Sequence, residues 1–294
     1  NYLLDLSINY FIFSGPFTLE TKNRRLIVLL FKQQLIRFLF LVWFLVPPNL
    51  FGQSQIKMAH SHNDYLNEKP LLNALKNNFK SIEVDVFLLN SELYVGHNWL
   101  QLRRNKTIEK LYLEPLLKIY NENSGYIYKN NIPLYLLVDF KTAYEKTYPT
   151  LLAKLDKYKP MLTRVVSDSL IQGAVTIIIS GDKPSVDDFK KPSNRIAFLD
   201  GRFSDIGMNT PNNIMPLISM SWLDHFQWKG FGKIPKKQSV VLDEIITAVH
   251  LEKKHIRFWA TPDNKNTWTI LEHAGVDLIN TDKVSEYSNY KILK

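Results

Sequence analysis

Eight short runs of apolar, β-branched and aromatic residues recur along the chain, and the intervals between them leave room for helices. The runs are IKMA (56–59), SIEVDVFL (81–88), LYLLVDF (134–140), VTIIIS (175–180), RIAFLD (195–200), PLISMS (216–221), IRFWA (256–260) and VDLIN (276–280). Between several of them, apolar residues fall at helical spacing: EKPLLNALKNN (68–78), EPLLKIYNEN (114–123), YPTLLAKLDKY (148–158) and VVLDEIITAVHLEKK (240–254). ELYVG (92–96) predicts a hairpin partner for the second strand. This alternation predicts an α/β fold, a single-domain (β/α)8 barrel of the TIM type, over residues 55–294. An open doubly wound sheet is the other arrangement. No Gly-rich phosphate loop follows any strand, which weakens its dinucleotide-binding form. Residues 202–215, RFSDIGMNTPNNIM, read as loop where a barrel helix would stand. No internal repeat is evident.

Residues 1–54 read as an N-terminal extension of another kind. Lys22, Arg24, Arg25, Lys32 and Arg37 precede the apolar run FLFLVWFLV (38–46), which Pro47 and Pro48 end. A basic flank, a short apolar core and a breaker make a signal-peptide pattern, with cleavage near Gly52. Nine apolar residues are too few to span a bilayer as a helix, and charges interrupt any longer stretch. The expectation is export to a periplasm, an outer surface or the medium. An uncleaved membrane anchor is the other reading.

Charge narrows the partners. The formal net charge is +9, which permits attraction to phospholipid surfaces or phosphorylated small molecules. No basic block with interleaved aromatics and no zinc-finger or helix-turn-helix spacing occurs, so no nucleic-acid partner is expected. The absence of cysteine excludes disulfides, thiol catalysis and cysteine–zinc sites.

In a parallel barrel, reactive groups gather at the carboxyl ends of the strands. His60 and His62, in AHSHNDY (59–65), lie just past the first predicted strand. Glu83 and Asp85 are two apart on the second, so both point to one face, while Ile82, Val84 and Val86 point to the other. Two carboxylates buried side by side repel, and one takes up a proton unless a cation sits between them. A hard divalent cation, Mg²⁺ or Ca²⁺, resolves that conflict. Asp139 ends the third strand as a third carboxylate, Lys141 follows two residues on, and His97 ends the hairpin strand. Two imidazoles, three carboxylates, a metal and a lysine suit attack at a phosphodiester. The metal and Lys141 would offset charge on the phosphoryl oxygens. One histidine would take a proton and the other give one.

The segments AHSHNDY, SIEVDVFLLNSELYVGHN and LLVDFK resemble the superfamily of phosphatidylinositol-specific phospholipases C and glycerophosphodiester phosphodiesterases. HSHNDY, ELYVGH and LYLEPLL (111–117) are most similar to the branch named for altered inheritance of mitochondria protein 6. The likeness is dense over 58–141 and thinner to the end, where RFWATPDN and AGVDLINTD resemble the last two strands of the family. It implies a TIM barrel that cleaves a glycerophosphodiester or phospholipid headgroup by general acid–base catalysis, with hydrolysis and transphosphatidylation both open. By the same resemblance His60 and His97 are the catalytic pair, Glu83, Asp85 and Asp139 the metal ligands and Lys141 the basic residue beside them. Trp259 falls where the family lines its pocket. Glycerophosphodiesterases carry arginine and glycine after the first histidine. Ser61 and His62 stand there instead, leaving Asn63, Lys141 or His62 to meet the phosphate.

Asp64 is expected to cap the following helix or to orient a histidine. His225, His250, His255 and His273 have no partner at a useful spacing and read as non-catalytic. The aromatic stretch SWLDHFQWKGFG (221–232) reads as packing over a barrel end or as a loop covering a lipid-like headgroup, which would bring contact with a membrane surface. The competing functional reading is a barrel that has lost turnover and serves as an exported or membrane-anchored binding protein.

Overall fold

The computed structural model describes residues 56–129 and 131–292. The predicted leader at 38–46 lies outside the described residues. Eight parallel strands form the main sheet. They are β1 (Lys57–Ser61), β2 (Phe79–Leu89), β4 (Leu134–Phe140), β7 (Val175–Gly181), β8 (Phe198–Gly201), β9 (Leu217–Ser221), β10 (His255–Trp259) and β11 (Ile279–Thr281). Their order is β10-β9-β8-β7-β4-β2-β1-β11, and a parallel bridge between Arg257 and Leu278 joins the two ends. This is a nearly closed eight-stranded parallel barrel, as the alternating pattern predicts. The short strand β3 (Glu92–Val95) pairs antiparallel with β2, Val86 opposite Val95.

Alternation along each strand sorts side chains into two layers. Ile82, Val84, Leu136, Val138, Ile177, Ile179, Ile256 and Phe258 point outward into the core beneath the helices. Leu137, Ile178, Phe198, Leu217 and Leu278 fill the barrel interior as a separate apolar cluster. Each such side chain contributes about 1.5–3 kcal/mol by leaving water. Above this plug the inward positions turn polar.

The helices are α1 (Leu72–Lys76), α2 (Glu114–Glu122), α3 (Tyr144–Leu155), α4 (Val186–Phe189), α5 (Trp222–His225), α6 (Lys236–Leu251), α7 (Lys265–Ala274) and α8 (Val284–Ile292). α1 is shorter than its apolar spacing predicts. Pro70 precedes it and Leu71 is held at φ +63, so the chain turns helical only at Leu72. No α-helix follows β8, in keeping with the loop read at 202–215. A hairpin, β5 (Arg164–Val166) with β6 (Ser169–Ile171), was not foreseen. Its two-residue turn, Ser167–Asp168, takes positive φ at both positions, a geometry that Asn-Gly usually signals and Ser-Asp does not.

Asp277, just before β11, receives His250 Nε2 at 2.8 Å, His255 Nδ1 at 3.2 Å and the Ile256 N–H at 2.9 Å. The fold therefore supplies a partner for two histidines that spacing left alone. Burial opposes the charge on Asp277, but these three donors outweigh it and hold its carboxyl below the usual range. Stability from a depressed carboxyl is present above its unfolded pKa, about 3.9, and is lost as pH falls through the lower folded value. Asp277→Asn is expected to cost about 2 kcal/mol near pH 7, with the difference from the parent shrinking as pH falls below the unfolded pKa of about 3.9. Urea unfolding midpoints across that range check it, and a pH-independent difference would assign the effect to packing instead.

Candidate active site

His60 lies within β1 rather than past it, because the strand continues to Ser61. Its register partners are Ser81 on β2 and Asn280 on β11. On the neighbouring strands Asp85 is level with Asp139, and Asp139 with Ser180. Parallel strands in register turn level residues the same way. The sheet itself therefore gathers His60, Glu83, Asp85 and Asp139 at one end of the barrel.

Glu83, Asp85 and Asp139 each offer an oxygen, and these oxygens lie within 4.8 Å of one another. Asp85 is buried, and its two oxygens differ. Oδ2 meets Lys141 Nζ at 3.1 Å, His97 Nδ1 at 3.1 Å and the Tyr65 hydroxyl at 2.7 Å. Oδ1 is buried without a hydrogen-bond partner. A buried carboxylate oxygen left bare costs about 1–3 kcal/mol or more. A hard cation held by three carboxylates would satisfy it, so the donor set fits Mg²⁺ or Ca²⁺. Gly181 keeps room for this group: with φ +70, a Cβ there would meet Asp139 Oδ1 at 2.5 Å and Phe140 O at 2.4 Å.

Charges around the triad are tightly coupled. Burial weighs on Asp139, and the nearby Glu83 and Asp85 add to it, so its carboxyl is raised despite Lys141 Nζ at 3.0 Å. Burial works against the Lys141 ammonium too, yet Asp139 and Asp85 raise its pKa and keep it charged. Only the lysine gains from the pair because it faces two carboxylates, while Asp139 also faces two of its own sign. Burial opposes the Glu83 anion, but the Arg257 guanidinium outweighs it and holds its carboxyl well below the usual range.

Arg257, on β10, is the residue that the sequence reading missed. It is 3% exposed, with Nη1 2.6 Å from His60 Nε2 and 3.3 Å from both Glu83 Oε2 and Asn280 Oδ1. Its Nε donates to Ser219 Oγ at 3.0 Å. An arginine can only donate. His60 Nε2 is therefore the accepting nitrogen, and Nδ1 carries the proton that reaches Ser81 Oγ at 2.7 Å. Burial, then the charge of Arg257, pushes the His60 pKa down to about 4. The imidazole is thus neutral near pH 7 and its lone pair faces a guanidinium. A signal for Arg257 existed: in IRFWA, Ile256 and Phe258 point outward, which sends Arg257 inward by the same alternation that placed Glu83 and Asp85.

The other expected residues are placed as follows. His62 stands between Asp282 Oδ1 (2.8 Å) and Glu83 Oε2 (3.6 Å). Burial disfavours its charged form, but these two carboxylates outweigh that and raise its pKa. Asn63 adopts φ +48 and turns its side-chain Oδ1 to the Tyr65 hydroxyl at 2.8 Å. Its side chain is thus engaged within the loop. His97 lies two residues beyond β3, half exposed, and reaches the triad only through Asp85. Trp259 ends β10 at the rim, partly exposed and two residues on from Arg257. Asp64 orients no histidine. It accepts from Ser61 Oγ, Tyr112 OH and the Leu71 N–H just ahead of α1, fixing the turn that presents His62. Beside Tyr65 opens a cleft of about 270 Å³, bordered by Leu66, Gly96, Gln101, Arg103 and Lys106.

Comparison with known proteins bears on this arrangement. A model of the AIM6-like phosphodiesterase domain matches residues 50–200, half of the chain and all three carboxylates. "Altered inheritance of mitochondria protein 6" of Eremothecium gossypii is 32% identical over 270 residues, covering 79% of this chain and 69% of that protein. The chain belongs to the AIM6-like phosphodiesterase family. A homolog of this AIM6-like group in Arthroderma benhamiae is 29% identical over 262 residues, covering 79% of this chain and 83% of its own. A second model, the glycerophosphoryl diester phosphodiesterase family, matches residues 255–285, which include Arg257 and Trp259. The solved glycerophosphodiester phosphodiesterase of Parabacteroides distasonis shares 14% identity over 80% of this chain and 95% of its own. Its TM-score of 0.46 is too low to add to what the strand order gives.

The relatives overturn the expectation of export. They are named for altered inheritance of mitochondria, which points to mitochondria rather than to the exterior. The apolar run that suggested a leader lies outside the described residues, and a short basic-apolar segment does not by itself specify which membrane it addresses. Among the described residues no helix is long and apolar enough to cross a membrane.

Proposed function

We propose that this AIM6-like barrel is a divalent-cation-dependent phosphodiesterase acting on a glycerophosphodiester or a phospholipid headgroup. The observation that carries this reading is the buried, unpartnered Asp85 Oδ1 within a cluster of three carboxylates. Held by Glu83, Asp85 and Asp139, Mg²⁺ or Ca²⁺ would supply charge against the non-bridging phosphate oxygens.

The protein's own residues account for the rest. His60 is neutral, and its Nε2 lone pair suits removal of a proton from the attacking hydroxyl. Arg257 covers that lone pair. Drawn toward a phosphate oxygen, its guanidinium would bind the substrate and uncover the base in one movement. It would thereby stand in for the arginine absent after His60. His97 turns Nδ1 to Asp85, so its Nε2 is left to hand a proton to the leaving oxygen. Lys141 and His62, both favoured in their charged forms, add positive charge beside the phosphate. The same two proton transfers serve attack by water and attack by a hydroxyl within the substrate.

Hydrolysis of bis(p-nitrophenyl) phosphate, glycerophosphodiesters and lysophospholipids, with and without excess EDTA, tests the proposal. Cleavage that stops with EDTA is the expected result. Cleavage indifferent to EDTA would remove the cation, and no turnover across the set would remove the phosphodiesterase reading.

Arg257→Gln is expected to lower turnover on the order of 100-fold, as loss of one preorganised donor does. Arg257→Lys should restore only part of it, since an ammonium lacks the guanidinium's fork. Removing the arginine's repulsion should also raise the His60 pKa from about 4 toward the ordinary value of about 6.5. The acid limb of the pH–rate profile then moves to higher pH, and an unmoved limb would separate Arg257 from His60.

A further inference from the structure

Five large aromatic side chains are exposed among the described residues: Trp99, Tyr126, Phe203, Phe231 and Trp259. All but Tyr126 lie at the barrel end that holds the carboxylates. Trp99 packs on Phe87, which stands two residues beyond Asp85 on β2, with ring centroids 4.6 Å apart. Phe203 follows the end of β8, Phe231 lies in the loop after β9, and Trp259 closes β10. Leu100, beside Trp99, is 85% exposed, and Phe231 is 81% exposed. Exposed apolar groups scattered singly need no explanation, but four of five exposed aromatics at one end of a barrel do.

Two of these loops also carry one sign of charge. Residues 97–108 contain Arg103, Arg104 and Lys106, all exposed, and no acidic residue. Residues 226–242 contain Lys229, Lys233, Lys236 and Lys237, also exposed and also without an acidic residue. The first loop rises beside β2 and the second follows β9. In the strand order β2 and β9 stand four strands apart either way round the barrel, on opposite sides of the mouth. The carboxylate site is thus flanked by two loops, each joining an exposed apolar residue to a basic cluster.

We propose that this end of the barrel docks on the surface of an anionic phospholipid bilayer, with Leu100 and Phe231 entering the interface and the two basic clusters meeting the headgroups. An extended anionic surface can meet two separated basic loops at once. Apolar insertion with flanking Lys and Arg is the chemistry by which peripheral proteins bind such surfaces. The inference extends the proposed phosphodiesterase activity toward lipid headgroups. Its test needs no turnover, so the two can fail separately.

Hydrogen exchange of the full chain is compared without vesicles, with phosphatidylcholine vesicles and with vesicles of phosphatidylcholine and phosphatidylserine. The mixed vesicles are expected to slow exchange in 98–106 and 226–237, and added salt to reverse it. In vesicle sedimentation, the triple change Arg103→Gln, Arg104→Gln, Lys106→Gln should weaken binding on the order of 100-fold, given about 1 kcal/mol per charge. The pair Leu100→Ala, Phe231→Ala should weaken it at least about tenfold. Unchanged unfolding midpoints show that the exposed substitutions leave the barrel intact. No slowing in either loop, or parental binding by both variants, would overturn the proposal whatever residues 1–55 contribute, because that segment is common to all.

Discussion

Replacing His60 by alanine is expected to lower phosphodiester turnover by about 10²–10⁴-fold, the range for loss of a positioned general base. Few alternatives exist for that proton at the same place. His60 is fully buried, its Nδ1 proton is fixed on Ser81, and burial with Arg257 keeps the ring neutral. His62 is less suited to replace it as a base, because Asp282 and Glu83 outweigh its burial and raise its pKa. The substitution also leaves a void beside Arg257, so stability needs a separate measure. Arg257 keeps Glu83, Asn280 and Ser219 as partners, which argues that the fold survives. His60→Asn, with a polar group of similar reach, serves as the second variant. Turnover and unfolding midpoint are measured together on both, with His97→Ala alongside. Parental turnover in the His60 and His97 variants alike would end the acid–base assignment.

Much of this fold was legible in the sequence for a physical reason. Buried parallel strands write near-continuous apolar runs, and the polar breaks in those runs are costly enough to be informative. Glu83 and Asp85 between Ile82, Val84 and Val86 could be read inward on that ground alone, and the barrel then brings Asp139 level with Asp85. The same alternation turns Arg257 inward between Ile256 and Phe258, but a lone inward cation has no like-charged neighbour to mark it as part of a site. Other features leave no such trace. The cluster of Asp277 with His250 and His255 joins residues up to 27 apart through the tertiary fold. The Ser167–Asp168 turn has the backbone of one residue pair and the sequence of another. The hydroxyl of Tyr65 reaches Asp85, 20 residues on, through the tertiary fold, just after Asn63 takes a left-handed conformation. Export failed as an expectation for a different reason: hydrophobicity and charge describe an affinity for membranes in general and carry no address.

Asp85→Asn is expected to remove divalent-cation binding and, with it, most turnover. The change is nearly isosteric, so it isolates charge from shape. It takes one of three anionic ligands from the cluster and turns the bare buried oxygen of that cluster into part of a neutral amide. Loss of an outer hydrogen-bond partner typically costs about 10–100-fold in metal affinity. Loss of a ligand should exceed that, since Lys141, 3.1 Å from Asp85 Oδ2, would then compete for the remaining anions with less opposition. Calorimetric titration with Mg²⁺ and with Ca²⁺ reads the affinity directly, and parental affinity in the variant would refute the ligand assignment. Thermal unfolding adds a measure that does not depend on catalysis. A cation that binds only the folded chain raises the parent's midpoint in proportion to the logarithm of its concentration. The variant's midpoint should stay flat over the same range. Without added cation it should lie close to the parent's or above it, because the parent alone then carries the unsatisfied Asp85 oxygen. That crossing of stabilities, parent below or level without metal and above with it, is what a carboxylate retained for a cation produces. One retained only to pair with Lys141 and His97 would make the variant less stable under both conditions.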